Sequence, residues 1–414
     1  MSHIPRVVVL LLGLALAACQ NQSSAPTSAP ANFTVTAGEN RAVLTWDNVP
    51  GLTYWVYYKA GSNVTTGDHD YIGTGFTSPA VISGLVNDTQ YAFIVNASNN
   101  GSKTGPTTPV LTATPRLLGP SVPWTVGAQF SSNSLNGIAY SGSYYVAVGD
   151  AATIFTAPHS YPSTGGVTAW SQVSSLPIGA GTNLTSVVYD GSEFVALGDD
   201  GSITLSGDLV NWVSRTAISG APTMNALAYA SGPIYVAVGA GGAIYRNTTG
   251  GLTGAWTAVS PVTGQDLYGV SYVNGMFIAV GAAGTLLTSP DGLSWKVQPA
   301  KTSSSLRHVA YGVPSSTGVG TYVAVGDAGA IVSSTDAVTW TAQAIPSTQS
   351  FYSVCFGPDL QFIAVGTAGT LLYSATGAAG SWAAGNAGSV DLYSIAPADV
   401  YIAVGAAGAN VSGK

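Results

Sequence analysis

Few side chains in this sequence could carry out chemistry, because only 7% of its 414 residues are charged. Hydrolysis of a glycosidic bond needs two facing carboxylates, yet beyond residue 121 the single glutamate is Glu193, and the aspartates mostly occupy turn-like sequences. The arginines of the same region are Arg215, Arg246 and Arg307. They fall at different positions of the repeat described below, so we expect that they do not converge on one anion.

Signals for metal binding and for nucleophilic catalysis are equally sparse. His69, His159 and His308 are isolated in the sequence, and the triplet Asp68-His69-Asp70 fits a solvated turn better than a metal site. No phosphate-binding loop and no Ser-His-Asp arrangement is recognisable in the sequence. A net charge of −7 without a basic stripe argues against nucleic-acid binding. We therefore predict a non-enzymatic protein without a cofactor.

The amino terminus predicts export and a lipid anchor. Arg6 precedes the apolar run Val7–Leu16, which is too short to span a bilayer and is typical of a signal peptide. The following Leu16-Ala17-Ala18-Cys19 resembles the lipobox of bacterial lipoproteins. The resemblance implies that Cys19 is acylated, whereas the alternative is an ordinary signal peptide that is cut at a small residue. Gln20 after the cysteine favours the outer membrane.

Seven copies of one phrase, an aromatic and apolar run ending in Ala-Val-Gly or Ala-Leu-Gly, indicate the elements that carry most of the chain. The glycines of this phrase lie 39 to 49 residues apart, at Gly149, Gly198, Gly239, Gly281, Gly326, Gly366 and Gly405. Repeats of this length with short strand signals and no helical periodicity predict the blades of a β-propeller. Most copies have a second glycine three residues later, which predicts a hairpin turn with positive φ.

Each repeat predicts four strands, and the fourth begins at a tryptophan. Six of these tryptophans serve seven repeats: Trp170, Trp212, Trp256, Trp295, Trp340 and Trp382. The missing one is Trp124, upstream of the first repeat, so we predict that an N-terminal strand completes the last blade and closes the ring. Closure removes open sheet edges. Cys355 lies in an inner strand where other copies have Ala or Val, which predicts a buried small hydrophobe.

The second residue of each inner strand is expected at the mouth of the central channel. These residues are Asn136, Thr185, Asn225, Tyr268, Arg307, Tyr352 and Tyr393. Aromatic faces with a few hydrogen-bonding groups suit sugars or peptides. We therefore predict ligand binding at the mouth, by Tyr268, Arg307, Tyr352, Tyr393, Asn136 and Asn225. The larger side chains fall on blades four to seven, which predicts an off-centre ligand, although ordinary rim residues are the alternative.

Residues 32–115 contain several short strands separated by turn signals, which predicts a β-sandwich. The segment ISGLVNDTQYAFIVNASN resembles the leucine and tyrosine-corner segment of fibronectin type III domains. The resemblance implies that Trp46 is the core tryptophan and Tyr91 the corner tyrosine, and neither role is catalytic. Trp55 and Tyr57 alternate with apolar residues, so they either form an exposed aromatic pair or are covered by neighbouring strands.

Three turns of the propeller have the pattern Ser-x-Asp-x-x-x-Trp: Ser206–Trp212, Ser289–Trp295 and Ser334–Trp340. They resemble the Asp-box turns of sialidase-like and photosystem II assembly factor-like propellers, one residue shorter than the commonest form. We expect the aspartate to cap backbone N–H groups of its turn and the tryptophan to pack between blades. The arginine cluster and catalytic acids of sialidases are missing, and so is the basic surface of the assembly factors. The resemblance therefore supports the fold and not those activities.

Together these patterns predict an all-β lipoprotein of the bacterial cell envelope. Its parts are a signal peptide with lipobox (1–19), a flexible tether (20–31), a fibronectin type III domain (32–115), a linker (116–121) and a seven-bladed propeller (122–414). We expect a monomer that binds or scaffolds, with a glycan, peptide or protein ligand at the mouth. A sialidase-like hydrolase or lyase and an envelope assembly factor are the alternatives. Convergent acidic or arginine side chains in the channel would favour the hydrolase, whereas Tyr, Asn and small residues would favour binding.

Overall fold

The computed structural model describes residues 25–38, 41–86, 89–99, 103–115, 124–159, 170–314, 318–345, 347–398 and 400–413. The predicted signal peptide, its lipobox, the first part of the tether and the linker lie outside the described residues. The chain forms two compact units, Met1–Arg116 and Leu117–Lys414. Their division falls at the predicted linker, and the finer domain limits stay predictions. Regular structure in the described ranges consists of β-strands and short 3-10 helices. Of these described helices, none has the length and apolarity to cross a membrane.

The first unit contains two antiparallel sheets. Its strands are β1 (Thr34–Gly38), β2 (Arg41–Thr45), β3 (Leu52–Ala60), β4 (Tyr71–Phe76), β5 (Ala80–Ser83), β6 (Tyr91–Asn99), β7 (Lys103–Thr107) and β8 (Leu111–Ala113). One sheet has the order β1-β2-β5, and the other has the order β4-β3-β6-β7, with β8 also pairing with β6. Buried side chains from both sheets form one core, so the unit is a sandwich. Its assignment to the fibronectin type III family stays a prediction.

Alternation along β3 divides its side chains between two faces, as predicted. Tyr54 and Val56 lie in the core between the sheets together with Trp46. On the opposite face Tyr57 is only 4% exposed, and Trp55 packs against the small cluster that covers it. Of the two alternatives for this aromatic pair, the structure therefore has the covered one.

Two further predictions for the sandwich concern polar groups. The Tyr91 hydroxyl accepts a hydrogen bond from the backbone N–H of Val86 at 3.1 Å, the kind of bond expected of a corner tyrosine. Asp68 pairs with Lys59 at 2.5 Å, and the Asp70 carboxylate accepts a hydrogen bond from a backbone N–H at 2.9 Å. Throughout the described ranges, no three His, Cys, Asp or Glu side chains are grouped so as to hold a metal ion. Asp68 and Asp70, which flank His69, therefore both make polar contacts within the sandwich.

The second unit begins with β9 (Thr125–Val126) and continues with seven blades. Blades one to three contain β10 (Leu135–Tyr140), β11 (Tyr144–Gly149), β12 (Thr153–Pro158), β13 (Ser171–Gln172); β14 (Leu184–Tyr189), β15 (Phe194–Gly198), β16 (Ile203–Ser206), β17 (Val213–Ser214); and β18 (Met224–Ala230), β19 (Ile234–Gly239), β20 (Ile244–Asn247), β21 (Thr257–Ala258). Strands pair in chain order from the inner to the outer edge of each blade.

The remaining blades repeat this plan. They contain β22 (Leu267–Val273), β23 (Met276–Gly281), β24 (Leu286–Ser289), β25 (Lys296–Val297); β26 (Leu306–Gly312), β27 (Thr321–Gly326), β28 (Ile331–Ser334), β29 (Thr341–Ala342); β30 (Phe351–Phe356), β31 (Phe362–Gly366), β32 (Thr370–Ser374), β33 (Trp382–Asn386); and β34 (Leu392–Ala396), β35 (Tyr401–Gly405), β36 (Asn410–Gly413). The 3-10 helices are Ala240–Gly242, Gly250–Leu252, Ala282–Gly284, Asp327–Gly329, Thr367–Gly369 and Ala406–Gly408.

The core of the propeller is a ring of seven blade interfaces. The Ala-Val-Gly strand stands second in each blade and is buried along its length, as in Phe194–Gly198 and Phe362–Gly366. A strand that is covered on both faces reads as a continuous apolar run. Seven clusters of buried described residues each join two neighbouring blades. Cys355 lies in one of them at 5% exposure, and burial raises the pKa of its thiol, which confirms the predicted buried hydrophobe.

Most repeats contain two glycines, and each of the two is required for a different reason. Gly329 has φ +74° in the turn after the Ala-Val-Gly strand, as predicted. Gly326 is extended, with φ −168°. A Cβ atom at Gly326 would lie 1.9 Å from the carbonyl oxygen of Ser305, just before the inner strand. The Ala-Val-Gly glycine is therefore required by close backbone approach rather than by φ.

The predicted Asp-box turns cap their own backbone. The Asp291 carboxylate accepts hydrogen bonds from the N–H groups of Leu293 and Ser294 at 2.9 and 2.8 Å. Asp208 and Asp336 do the same in their turns. Bonds from backbone N–H groups lower the pKa of Asp336 to about 2. The structural role predicted for these aspartates is confirmed.

The N-terminal strand closes the ring, as predicted. β9 pairs with β36, placing Val126 opposite Val411 and Thr125 opposite Ser412. The last blade therefore has the order β34-β35-β36-β9. Trp124, directly before β9, packs on the core between blades six and seven and donates a hydrogen bond from Nε1 to the Tyr373 hydroxyl.

Candidate ligand-binding site

A β-bulge stands at the second residue of every inner strand. In blade five Leu306 pairs with Gly326 and His308 with Val325, so Arg307 is the extra residue without a partner in β27. The bulge residues of the seven blades are Asn136, Thr185, Asn225, Tyr268, Arg307, Tyr352 and Tyr393. Bulges redirect side chains and are common beside functional sites. All seven line one cavity of about 510 Å³, which continues along the inner strands into the central channel.

The polar bulge residues of blades one to three use their side chains in hydrogen bonds to other residues of the propeller. The Asn136 amide donates to the Leu184 carbonyl of blade two at 3.1 Å and to the Asp150 carboxylate at 2.8 Å. The Asn225 amide donates to the first residue of the next inner strand, the Leu267 carbonyl, at 2.7 Å. Thr185 likewise donates to the next blade at 3.2 Å. Of the two predicted ligand contacts, Asn136 therefore uses both of its amide hydrogens within the propeller, whereas Asn225 uses one and keeps the other, with its amide oxygen, for a ligand.

Arg307 has a resident counter-ion and a resident aromatic partner. Its Nε and Nη2 atoms donate to the two Asp327 carboxylate oxygens at 2.9 and 2.8 Å. Its Cζ atom lies 4.3 Å from the centroid of the Tyr268 ring. The bond to Asp327 is the largest cause that raises the pKa of Arg307. The positive charge is thus compensated in place.

The other two arginines of the propeller do not join Arg307. Arg215 donates from Nε to the Gly251 carbonyl at 2.7 Å, and Arg246 donates from Nε to the Asp291 carbonyl at 2.9 Å. Each arginine therefore has a different partner in a different part of the ring, as the repeat positions predicted. The mouth does not contain an arginine trio of the kind that binds a carboxylate on a sialidase.

Tyr352 and Tyr393 form the aromatic centre of the mouth. Their ring centroids lie 5.3 Å apart in an edge-to-face arrangement of 81°. Burial and then the charge of Asp391 raise the pKa of both hydroxyl groups. No hydrogen bond between described residues uses either hydroxyl, so both are available to a ligand.

Sequence reasoning missed His308, which lines the channel one residue beyond Arg307. The bulge turns the third residue of the inner strand toward the channel as well, and the other blades have Gly, Ser or Ala there. His308 Nδ1 lies 3.0 Å from the Val354 carbonyl oxygen and 3.5 Å from Ser353 Oγ. Burial lowers the pKa of the His308 imidazole and therefore favours its uncharged form. This contact ties blade five to blade six.

Carboxylates surround the mouth without lining it. Asp391, directly before β34, accepts a hydrogen bond from the Ala368 N–H at 2.8 Å, and Asp150 accepts one from Asn136. Asp327 forms a salt bridge with Arg307. The described residues that line the cavity are tyrosines, asparagines, small residues and aliphatics, with one arginine and one histidine. Of the two mouth compositions considered from the sequence, this is the one that favours binding.

Comparison with known proteins identifies the fold. No protein-family model and no curated protein matches this chain. The solved structure of YCF48 bound to a D1 peptide matches with a TM-score of 0.57 and 16% identity, covering 72% of this chain and 95% of that one. YCF48 from Cyanidioschyzon merolae matches with a TM-score of 0.53 and 18% identity, covering 70% and 98%. The WD40 propeller domain of Doa1 has a TM-score of 0.54 and 12% identity, covering 71% and 97%. These likenesses show that the chain contains a β-propeller similar in structure to those of YCF48 and WD40 proteins.

Proposed function

We propose that this protein is a non-enzymatic binding protein whose propeller mouth takes an extended segment of a partner polypeptide. The observation that carries the proposal is the division of the seven bulge residues. Those of blades one to three tie neighbouring blades together through their side chains. Tyr352 and Tyr393 pack against each other edge to face, and no hydrogen bond between described residues uses their hydroxyl groups. An aromatic surface with free hydrogen-bonding groups in a cavity is typical of a recognition site.

A polypeptide is favoured over a glycan by one comparison. YCF48, a propeller of similar structure, was solved with a D1 peptide. The described lining of the mouth of the present chain contains one arginine, Arg307, which is paired with Asp327. We therefore carry over only the class of ligand, and an assembly-factor role follows if the partner belongs to a larger complex.

Selection from a displayed library of random peptides against the purified full-length protein tests this proposal. Tyr352→Ala or Tyr393→Ala should weaken the selected peptides at least about tenfold, because aromatic anchors carry a large share of binding energy. The melting temperature should change little, since both side chains are partly exposed at the mouth. Tyr144→Ala is the matched control, because Tyr144 is 43% exposed at the opposite end of blade one.

Peptides that bind both tyrosine variants as well as the parent would place recognition elsewhere. A glycan that binds at the mouth in place of any peptide would change the class of ligand. Turnover of a ligand, abolished by changing one acidic residue, would contradict the non-enzymatic assignment.

We also propose that the protein is anchored in the outer membrane through acylated Cys19, ahead of a sandwich of the fibronectin type III family. The support is the Leu16–Cys19 sequence after the apolar run and, for the sandwich, the hydrogen bond of Tyr91. Cys19→Ala should leave unprocessed or mislocalised precursor, because the variant lacks the residue that would be acylated. Stable anchoring needs more than one acyl chain. Fractionation of this variant as a mature membrane protein would rule out the lipid anchor.

A further inference from the structure

We infer that the mouth selects a positively charged group of the bound segment, a lysine or arginine side chain, beside Tyr352 and Tyr393. This inference rests on the proposed function and names the chemistry that the same site recognises. Its basis is an arrangement of aromatic rings and carboxylates that occurs twice around the mouth. One of the two arrangements already holds a cation of the protein itself, the guanidinium of Arg307.

The filled copy lies between blades four and five. Tyr268 presents a ring face, Asp327 presents both carboxylate oxygens, and the guanidinium of Arg307 lies between them. A cation held over a tyrosine ring gains from the negative face of the ring, and a carboxylate adds a charge-assisted hydrogen bond. This mouth therefore already stabilises one cation by these two means.

The second copy lies between blades six, seven and one. Tyr352 and Tyr393 supply the rings, while Asp391 and Asp150 supply the carboxylates. Each of these aspartates uses Oδ1 in a hydrogen bond to the protein, and no hydrogen bond between described residues uses Oδ2 of either. Burial comes first among the causes that raise the pKa of Tyr393, followed by the charges of Asp391, Tyr352 and Asp150, which is consistent with their closeness.

The charges around the whole mouth favour a cation from outside. The turns after the second strands and the residues directly before the inner strands contribute Asp150, Asp199, Asp200, Asp266, Asp327 and Asp391. Those described segments contain no lysine or arginine. Arg307 is the one cation on the described inner strands at the mouth; it is paired with Asp327, although its charge also acts to lower the pKa of Tyr352. His308 lies one residue beyond Arg307, and burial lowers the pKa of its imidazole, which disfavours a second positive charge there.

Three capped nonapeptides of repeating Gly-X-Ser, in which X is lysine, norleucine or glutamate, test the inference by calorimetric titration of the full-length protein. The lysine peptide should bind at least about tenfold more tightly than the norleucine peptide at low ionic strength. Salt should reduce this preference, because it screens charges at an open mouth. The norleucine peptide matches the lysine stem without its charge, so the comparison does not depend on any variant folding.

The double variant Asp150→Asn with Asp391→Asn assigns the preference to the named carboxylates. Asparagine keeps an acceptor oxygen for Asn136 and for the Ala368 N–H, so the scaffold contacts survive. We expect the preference for lysine to fall to about threefold or less. Glu193→Gln is the matched control, because it removes one carboxylate from a turn at the opposite end of blade two.

Three outcomes overturn the inference in distinguishable ways. Equal binding of the lysine and norleucine peptides, both weakened by Tyr352→Ala, leaves the proposed function standing and removes the selection of a cation. Binding of none of the three peptides contradicts both proposals together. A preference for lysine that survives in the double aspartate variant would also overturn the assignment to Asp150 and Asp391.

Discussion

At the scale of single residues, the first aromatic of the Ala-Val-Gly phrase shows how one hydroxyl group joins two blades. Blades two, four and six have Phe at this position, whereas blades one, three, five and seven have Tyr. Each tyrosine hydroxyl bonds to a turn of the preceding blade, at the Val400 carbonyl, Asp190, Asn274 and Asp359 respectively. The tyrosines are visible in the sequence, but their partners lie 42 to 255 residues away along the chain. Spacing alone could not have assigned these bonds.

Tyr235→Phe should destabilise the propeller by about 1.5–3 kcal/mol, the usual contribution of a hydrogen bond to a charged group. The Tyr235 hydroxyl donates to the Asp190 carboxylate at 2.6 Å in a partly buried setting. Phenylalanine keeps the ring, which already stands at this position in three blades. Chemical denaturation of the parent and the variant measures the loss. Tyr229→Phe in the same blade is the control, because its hydroxyl makes no hydrogen bond with a described residue.

The loss should depend on pH in a defined way. Burial would raise the pKa of Asp190, but hydrogen bonds from Tyr235 and nearby groups outweigh it and lower that pKa below 3.8. Burial and the bond to Asp190 raise the pKa of Tyr235 above 10.0. A carboxyl group whose pKa is lowered by folding stabilises the protein at pH values above its unfolded-state pKa. A tyrosine whose pKa is raised by folding stabilises the protein at pH values below its unfolded-state pKa. The difference between parent and variant should therefore be full from about pH 4 to 10 and shrink on either side. A difference no larger than that of Tyr229→Phe across this range would show that the bond is not stabilising.

At the scale of the elements, the sequence predicted the strands, their order and the turns, because each leaves a local signal. Short apolar runs end at glycines, and a tryptophan lies directly before each outer strand or, in β33, at its first residue. The bulges of the inner strands are also visible in the sequence, in the spacing of the apolar residues. In a regular strand, side chains one and three share a face, yet the apolar residues here are the first and the fourth, such as Leu135 with Ile138. Both are buried at 8% exposure or less. An extra residue between them explains the spacing, and it is the residue that enters the mouth.

What the sequence could not provide at the mouth was the use of each side chain. The position of all seven residues followed from the repeat, since equivalent positions of a closed ring face one axis. The engagement of Asn136 and Asn225 depends on backbone carbonyls of the next blade, and the neutralisation of Arg307 depends on a turn 20 residues later. These contacts depend on the distance between adjacent blades, and that distance cannot be predicted from the pattern of residues. They reduce the predicted ligand surface to the aromatic side of the ring.

At the scale of the whole molecule, stability depends on closure. Each of the seven core clusters needs two neighbouring blades, so an open ring would expose one complete interface. Strand β9 pairs with the last blade through two residue pairs, Val411 with Val126 and Ser412 with Thr125, and the Gly127 N–H donates to the Asn410 carbonyl directly after them. The tryptophan count predicted this closure from the sequence, because a missing member at one end of a repeat series had to come from the other end. The short pairing is supported by the packing of Trp124 on Tyr373 and Tyr401.

A chain that starts at residue 130 should therefore lose stability and associate through its open edge, whereas a chain that starts at residue 117 should not. Both lack the sandwich, and they differ by the segment that contains Trp124 and β9, so the comparison isolates closure. Within the full chain, Trp124→Ala should cost about 3 kcal/mol, at the low end for a large aromatic because this side chain is only partly buried. Thermal unfolding and light scattering of the two shortened chains measure the effect. Equal melting temperatures and equal monomer content for both would mean that the ring remains stable without its N-terminal strand. In that case the core clusters alone, and not the β9–β36 pairing, hold the last blade in place.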